Sequence, residues 1–246
     1  MASNDDVADP GSPMVRKLRY LAPLTEAELA LLQRACTNTI RIEADQDIVQ
    51  EGSRPKECTL LLEGFACRYH LLPDGRRQIL SFQFPGDFID SHSLVLPEMD
   101  HSLAAITPCT VSTVPHAVMN EITAHHPRIA RALWKETMID ASVFRQRITS
   151  LGRRNAYQRV AHLMCEVFVR LQAVGLARGM AVDWPMTQTE ISDALGLSVV
   201  HVNRTLQALR RAGLITLIEA QLMILDWEGL AEAGGFDERY LHLRGN

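Results

Sequence analysis

The sequence predicts an α+β chain: an antiparallel strand domain, one long helix, then a helical C-terminal domain closed by a hairpin. Three observations carry this reading. From about 39 to 118, short strand-like runs ("TIRIEA", "CTLLLEG", "FACRYHLL", "RQILSFQF", "AAITPCTVSTV") alternate with the turns "EGS", "LPDG" and "FPGDF", the texture of an antiparallel sandwich or barrel. Residues 128–151 contain neither glycine nor proline, which allows an unbroken helix about 36 Å long. From Thr187 to Ile215, two short amphipathic patterns flank Gly196.

The elements follow in order. The N-terminus, "MASNDDVADPGSPM", is acidic and polar and lacks the basic-then-apolar order of a secretory signal, so residues 1–15 are expected to be a disordered tail. A strand domain over 16–127 is entered by a short helix within 15–36, where Thr25 and Glu28 fit a capping box. Asp74-Gly75 between two strand runs marks a hairpin. Pro127 opens the long helix, 128–151. Its stripe of Ile129, Leu133, Ile139 and Val143, widened by Trp134, Met138 and Ile148, is too broad for one packing partner. A second copy of the chain is expected along it. "GRRNAYQ" at 152–158 is a polar interruption, read as a hinge opening a C-terminal domain over 152–246. Val160, Leu163, Met164, Val167, Phe168 and Leu171 then recur at helical spacing.

Within that domain, Thr187 and Glu190 form a second capping box, Gly196 suits a left-handed helix end, and Ser198 is an N-cap for the next helix. On that helix Val202, Leu206 and Leu209 face inward, while Val200, Arg204, Gln207 and Arg211 fall opposite, flanked by His201 and Asn203. Helix, glycine turn, helix is the helix-turn-helix unit, whose second helix enters a DNA major groove N-terminus first. Arginine can bind guanine O6 and N7 together, asparagine adenine N6 and N7, and valine a thymine methyl. The Ser198 hydroxyl and the first-turn N–H groups suit a phosphate. "LITLIEAQLMILD" reads as two strands around Glu219-Ala220, a wing behind the reading helix.

Composition bounds the alternatives. The chain has 246 residues, 47% hydrophobic and 22% charged, with no apolar run near the roughly 20 residues that span a bilayer; a cytoplasmic location is the default expectation. Over 152–213, eight arginines face four acids, giving +4 within a chain of net −4, so the remainder carries −8. Five cysteines, an odd number without a CxxC, argue against a disulfide framework or zinc site, and no metal site is expected. No nucleophile elbow, P-loop, HExxH or His-x-His pattern is present. The chain is therefore expected not to be an enzyme, a metal-dependent enzyme on the strand domain being the distant alternative.

"MTQTEISDALGLSVVHVNRTLQALRRAGLI" closely resembles the DNA-binding motif of the CRP/FNR superfamily of bacterial transcription regulators. The resemblance covers most of the chain: "DIVQEG", "LLEG", "DGRRQIL" and "FPGDFI" are similar to that family's cyclic-nucleotide-binding β-roll, and the long helix to its dimerisation helix. It implies a jelly-roll-like β-roll sensor, a winged helix-turn-helix, a homodimer on a palindromic operator, and contact with RNA polymerase. Val199, Val200, Asn203 and Arg204 take base-reading positions, with Thr187, Gln188, Ser198, His201, Gln207 and Arg211 completing the DNA-binding set. Members often carry Glu where Val200 stands, so the half-site is expected to differ.

The resemblance also frames the signal. Cyclic-AMP binders in the family carry Gly-Glu after the "PGDF" turn and then Arg-Ser; here these become Asp90-Ser91 and His101-Ser102. Carboxylates at Asp90 and Asp100 would repel a phosphate, so cyclic AMP is not expected. An iron–sulfur cluster is not expected either, because no cysteine precedes Cys36. The carbon-monoxide-sensing branch places a haem ligand at His92, but its alternate Cys falls at Asp90. Cys67 beside Arg68 is a redox alternative. The candidate effector pocket is Phe88, Asp90, Ser91, His92, His101 and Ser102, with the small-molecule effector and any cofactor unknown.

Overall fold

A computed structural model describes residues 11–36 and 38–243. The entry is two helices rather than one: α1 (Pro13–Leu21) and α2 (Glu26–Ala35). Pro23 separates them, since proline lacks the N–H a continuing helix needs. Ser12 accepts from the Val15 N–H to start α1, and the Thr25–Glu28 capping box starts α2. Pro13, Met14 and Val15 are thus helical although they fall within the expected tail; residues 1–10 of that tail lie outside the described residues.

Seven strands follow: β1 (Asn38–Ile42), β2 (Asp47–Val49), β3 (Glu57–Glu63), β4 (Ala66–Leu71), β5 (Arg77–Gln83), β6 (Ser102–Ala105) and β7 (Cys109–Pro115). They form two antiparallel sheets, ordered β1-β7-β3 and β2-β6-β4-β5. Leu61, Ile89, Met99, Leu103 and Val111 fill the space between them. The β4–β5 hairpin turns where Asp74-Gly75 predicts, with Gly75 at φ 80°. Gly86 closes the "FPGDF" turn at φ 96°, and a Cβ there would lie 2.8 Å from the Pro13 carbonyl oxygen. Only glycine lets α1 press onto that turn.

The helical part comprises α3 (His116–His125), the long α4 (Pro127–Arg153) and α5 (Ala156–Ala173). The break between α4 and α5 falls where a hinge is expected: Arg154 is extended and Asn155 caps α5 with Gln158. Arg159 braces it by donating to the carbonyls of Leu151, Arg154 and Leu195. Then come β8 (Ala181–Asp183), α6 (Gln188–Leu195), α7 (Val199–Arg211), β9 (Ile215–Ile218), β10 (Gln221–Ile224) and α8 (Trp227–Gly234). The wing has three strands, ordered β8-β10-β9, one more than the sequence predicts; β8 is too short for an alternation to show. Its tip turns at Glu219 and Ala220, at φ 49° and 58°, an unusual conformation for non-glycine residues.

The two halves of the chain share one core. Cys67, Ile79 and Phe82 of the β4–β5 hairpin, brought to one face across a register shift, pack with Val160, Leu163, Met164 and Leu195. Arg77 pairs with Asp193 at 3.0 Å, and Gln78 donates to the Asp193 carbonyl. The β4–β5 hairpin therefore touches α6 directly.

His162 supplies a pH dependence within this core. It is buried on α5, with Nδ1 3.3 Å from the Gly234 carbonyl and Nε2 3.3 Å from the Tyr240 hydroxyl. Burial lowers its pKa to about 4, below an unfolded value of about 6.5. A depressed histidine contributes stability that is present above pH 6.5 and is lost as pH falls through the folded pKa. The full contribution is about 3 kcal/mol. Denaturant titrations of His162→Gln should therefore show a shallower loss of stability between pH 6.5 and pH 4 than wild type; equal slopes would refute this assignment.

Candidate nucleic-acid interface and effector cavity

The helix-turn-helix is α6, a three-residue turn and α7. Thr187 accepts from the Glu190 N–H while the Glu190 carboxylate accepts from the Thr187 N–H and hydroxyl. Gly196 ends α6 at φ 59°, and Ser198 accepts from the His201 N–H to start α7. Val202, Thr205, Leu206 and Leu209 are buried, so Ser198, Val199, Val200, His201, Arg204, Gln207 and Arg211 lie on the exposed face. Val200 is 59% exposed, a large apolar surface with no intramolecular reason to face water.

Asn203 sits differently. It is half-buried, donating from Nδ2 to Gln188 Oε1 at 3.2 Å and accepting from Gln207 Nε2 at 3.0 Å. Gln188, Asn203 and Gln207 form a relay that locks α6 against α7 and orders two of the amides offered outward. Arg210, absent from the predicted set, donates to the Leu217 carbonyl at 3.0 Å and fixes the wing to α7.

The predicted effector residues divide. Phe88 is fully buried with α1 and α4 side chains. Asp90 is fully buried and accepts from the Thr59 N–H at 2.6 Å and hydroxyl at 2.8 Å, while burial pushes its pKa up to about 6. Ser102 accepts from the Glu51 N–H at 3.0 Å. These three hold the roll together and do not line one cavity with the others. Ser91, His92 and His101 do: they share a cavity of about 510 Å³ between the inner face of β4–β5 and α4. That size falls within the usual range for small-molecule sites.

Asp100, whose carboxylate the sequence places near the ligand, lines this cavity too, and the predicted set omits further walls: Arg68, Asp140, Phe144 and Arg147. Arg68 is buried, donating to Asp140 at 2.6 Å and to the Ile89 carbonyl at 2.8 Å. Strand alternation explains why Arg68 cannot activate Cys67, since neighbouring residues point to opposite faces. Cys67 faces the shared core, and burial pushes its pKa up to about 12. The other four cysteines are buried too, so the redox alternative finds no exposed thiol. The structure also joins what the spacing kept apart, stacking the His92 and His101 rings with centroids 5.0 Å apart beside Asp100. The haem alternative meets a half-buried His92 that already packs on a second imidazole.

The predicted dimer stripe needs correction as well. Ile129, Leu133 and Val143 are buried in this chain's own cores, and Ile139 packs against them. The apolar residues that α4 leaves exposed are Trp134, Met138 and Ile148.

Comparison with known proteins agrees with the two-part architecture. Residues 39–126 match the cyclic nucleotide-binding domain, and residues 158–233 match the Crp-like helix-turn-helix domain. The nitrogen fixation regulation protein FixK of Bradyrhizobium diazoefficiens is 34% identical over 68% of this chain and 69% of its own length. The transcriptional activatory protein AadR of Rhodopseudomonas palustris is 32% identical over 86% of this chain and 87% of its own. The chain belongs to the CRP/FNR family of transcription regulators. The structure of FixK2 from Bradyrhizobium japonicum matches with a TM-score of 0.73 at 26% identity, covering 81% of this chain and 98% of that one. This CRP/FNR member is thus a transcription regulator with a helix-turn-helix DNA-binding domain, related to regulators rather than enzymes. Among the described residues no helix is long and apolar enough to cross a membrane.

Proposed function

We propose that the protein works as a homodimer on a palindromic operator, with α7 of each protomer in a major groove and RNA polymerase as a further partner. A signal held at the cavity between β-roll and α4 controls it. The observation that carries the reading is the face of α7: Val199, Val200, His201, Arg204 and Gln207 are exposed together, while the buried side fixes the helix. Val200 offers a methyl-contacting surface where a carboxylate would accept from cytosine, so its base position favours thymine. The Arg68–Asp140 pair ties sheet to α4 through the cavity wall, and Arg77–Asp193 ties the same hairpin to α6. A ligand that shifts β4–β5 thereby acts on both the spacing and the tilt of the readers.

The experiment is a selection of bound duplexes from a random pool, repeated with Arg204→Ala. Wild type should return a palindrome with half-site centres about one helical turn apart. Arg204→Ala should cost about 1–3 kcal/mol and relax one symmetric pair of positions. An unchanged site preference would remove α7 from the role of reader.

A further inference from the structure

The unexplained feature of the cavity is its histidine pair. His92, in the 3-10 turn Ser91–Leu94, and His101, just before β6, stack with an interplanar angle of 29°. Asp100 Oδ1 lies 2.7 Å from His101 Nδ1. One nitrogen from each ring and one Asp100 oxygen all lie within 4.8 Å of one another. The Nε2 atoms of both histidines are out of solvent and have no hydrogen-bond partner, an arrangement that costs free energy unless something else takes up their lone pairs or protons. His101 itself is only 8% exposed.

The geometry points to a divalent transition-metal site formed by His92, His101 and Asp100. Two imidazoles and a carboxylate form the donor set that suits zinc, cobalt, nickel or iron(II), with positions left open for water or a signal molecule. Ligand atoms around a tetrahedral ion at about 2.0–2.2 Å sit roughly 3.4 Å apart. Closing from 4.8 Å therefore asks for small side-chain rotations. Asp100 is free to make its share, since its side chain is 74% exposed. Burial, together with the nearby Arg68 guanidinium, lowers the pKa of His92 to about 4, and burial lowers that of His101, shifts that favour the neutral, ligating form of each ring. The Arg68 charge is balanced by Asp140, leaving the Asp100 carboxylate to neutralise part of the cation. Bound metal would tie together the two ends of the segment 91–102, whose middle carries exposed Val95 and Leu96 beside Trp134 and Met138 of α4. That consequence for α4 rests on the effector reading of the cavity; the metal site itself does not.

The test is a cobalt(II) titration of the full-length, chelator-stripped protein, followed by competition with zinc. Saturation at one cobalt per chain is expected, with visible absorption bands that zinc abolishes. Asp100→Asn changes an exposed side chain and should fold normally, yet weaken binding at least about tenfold. His101→Gln should abolish the bands, with circular dichroism as the folding control. Absent saturable binding in wild type, or bands unchanged in a folded His101→Gln, would overturn the site. A separate arm measures operator binding with and without zinc. Metal binding without any change in DNA affinity would leave the site standing and sink its regulatory role.

Discussion

Replacing Lys17 by methionine should destabilise the protein by about 3–5 kcal/mol, the usual cost of removing one partner from a buried ion pair. Lys17 on α1 donates to Asp87 in the "FPGDF" turn and to Glu136 on α4. Arg170 on α5 reaches the other Asp87 oxygen at 3.1 Å, and the Phe88 N–H donates to Glu136. Burial works against the ammonium, but the carboxylates of Asp87, Glu136 and Asp140 more than offset it and raise its pKa. Glu136 is raised by its own burial and by Asp87, while Lys17 pulls it down. Methionine keeps the length of the side chain and leaves Glu136 unpaired, whereas Asp87 retains Arg170. The discriminating measurement is a double-mutant cycle. Lys17→Met with Glu136→Leu should recover most of the loss, since removing both charges avoids the buried orphan. If the double variant is as unstable as the sum of the singles, the cost arises from packing around α1 and the ionic account fails. The same four residues join the N-terminal helix, the β-roll, α4 and the DNA-binding domain, so this loss would be felt as loosened domain orientation as well as lower stability.

What the sequence reveals, and what it hides, divides by the range of the interaction. The helix-turn-helix is legible because its determinants are local. Thr187 with Glu190, Gly196 and Ser198 specify two helix starts and one stop within a dozen residues, and the structure reproduces each. The β4–β5 hairpin is legible for the same reason, through Asp74-Gly75. The cavity is not, because its walls come from β4, the segment before β6 and α4. Arg68 and Asp140 are 72 residues apart, and no periodicity links them. His92 and His101 are separated by an irregular segment whose path only tertiary packing fixes. Asp90 misleads because a polar residue beside a turn looks available, when in fact it ties the turn to the Thr59 backbone. On α4 the apolar pattern runs nearly all round the helix. Sequence alone therefore cannot tell which stripe the β-roll and DNA-binding domain will cover.

Placing aspartate at both Met138 and Ile148 should convert the protein to a monomer and reduce operator affinity by at least about 10³-fold, toward the non-specific level. The four apolar residues first expected at the dimer seam are spent on this chain's own cores. What remains is Trp134, Met138, Ala141, Arg145 and Ile148, spaced 4, 3, 4 and 3. That is the seam spacing of a left-handed helix pair. Trp134 is 68% and Ile148 70% exposed, and a stripe of this size on a rod of about 40 Å marks an interface. A second copy related by a two-fold axis would bury it against itself and set the separation of the two α7 helices. Because Met138 and Ile148 are exposed, aspartate there leaves the protomer core intact, and circular dichroism should be unchanged. Light scattering would then read about 27 kDa in place of twice the 27.5 kDa chain mass. A variant that stays dimeric would move the interface off this seam. One that becomes monomeric yet keeps its affinity would show that a single α7 suffices for binding. Ile148 also borders the cavity between the β-roll and α4, so a seam that joined two protomers here would be continuous with the surface that would meet the signal. On the proposed reading, an occupant of the cavity would need no long relay: it would change the shape of the stripe on which a partner would rest.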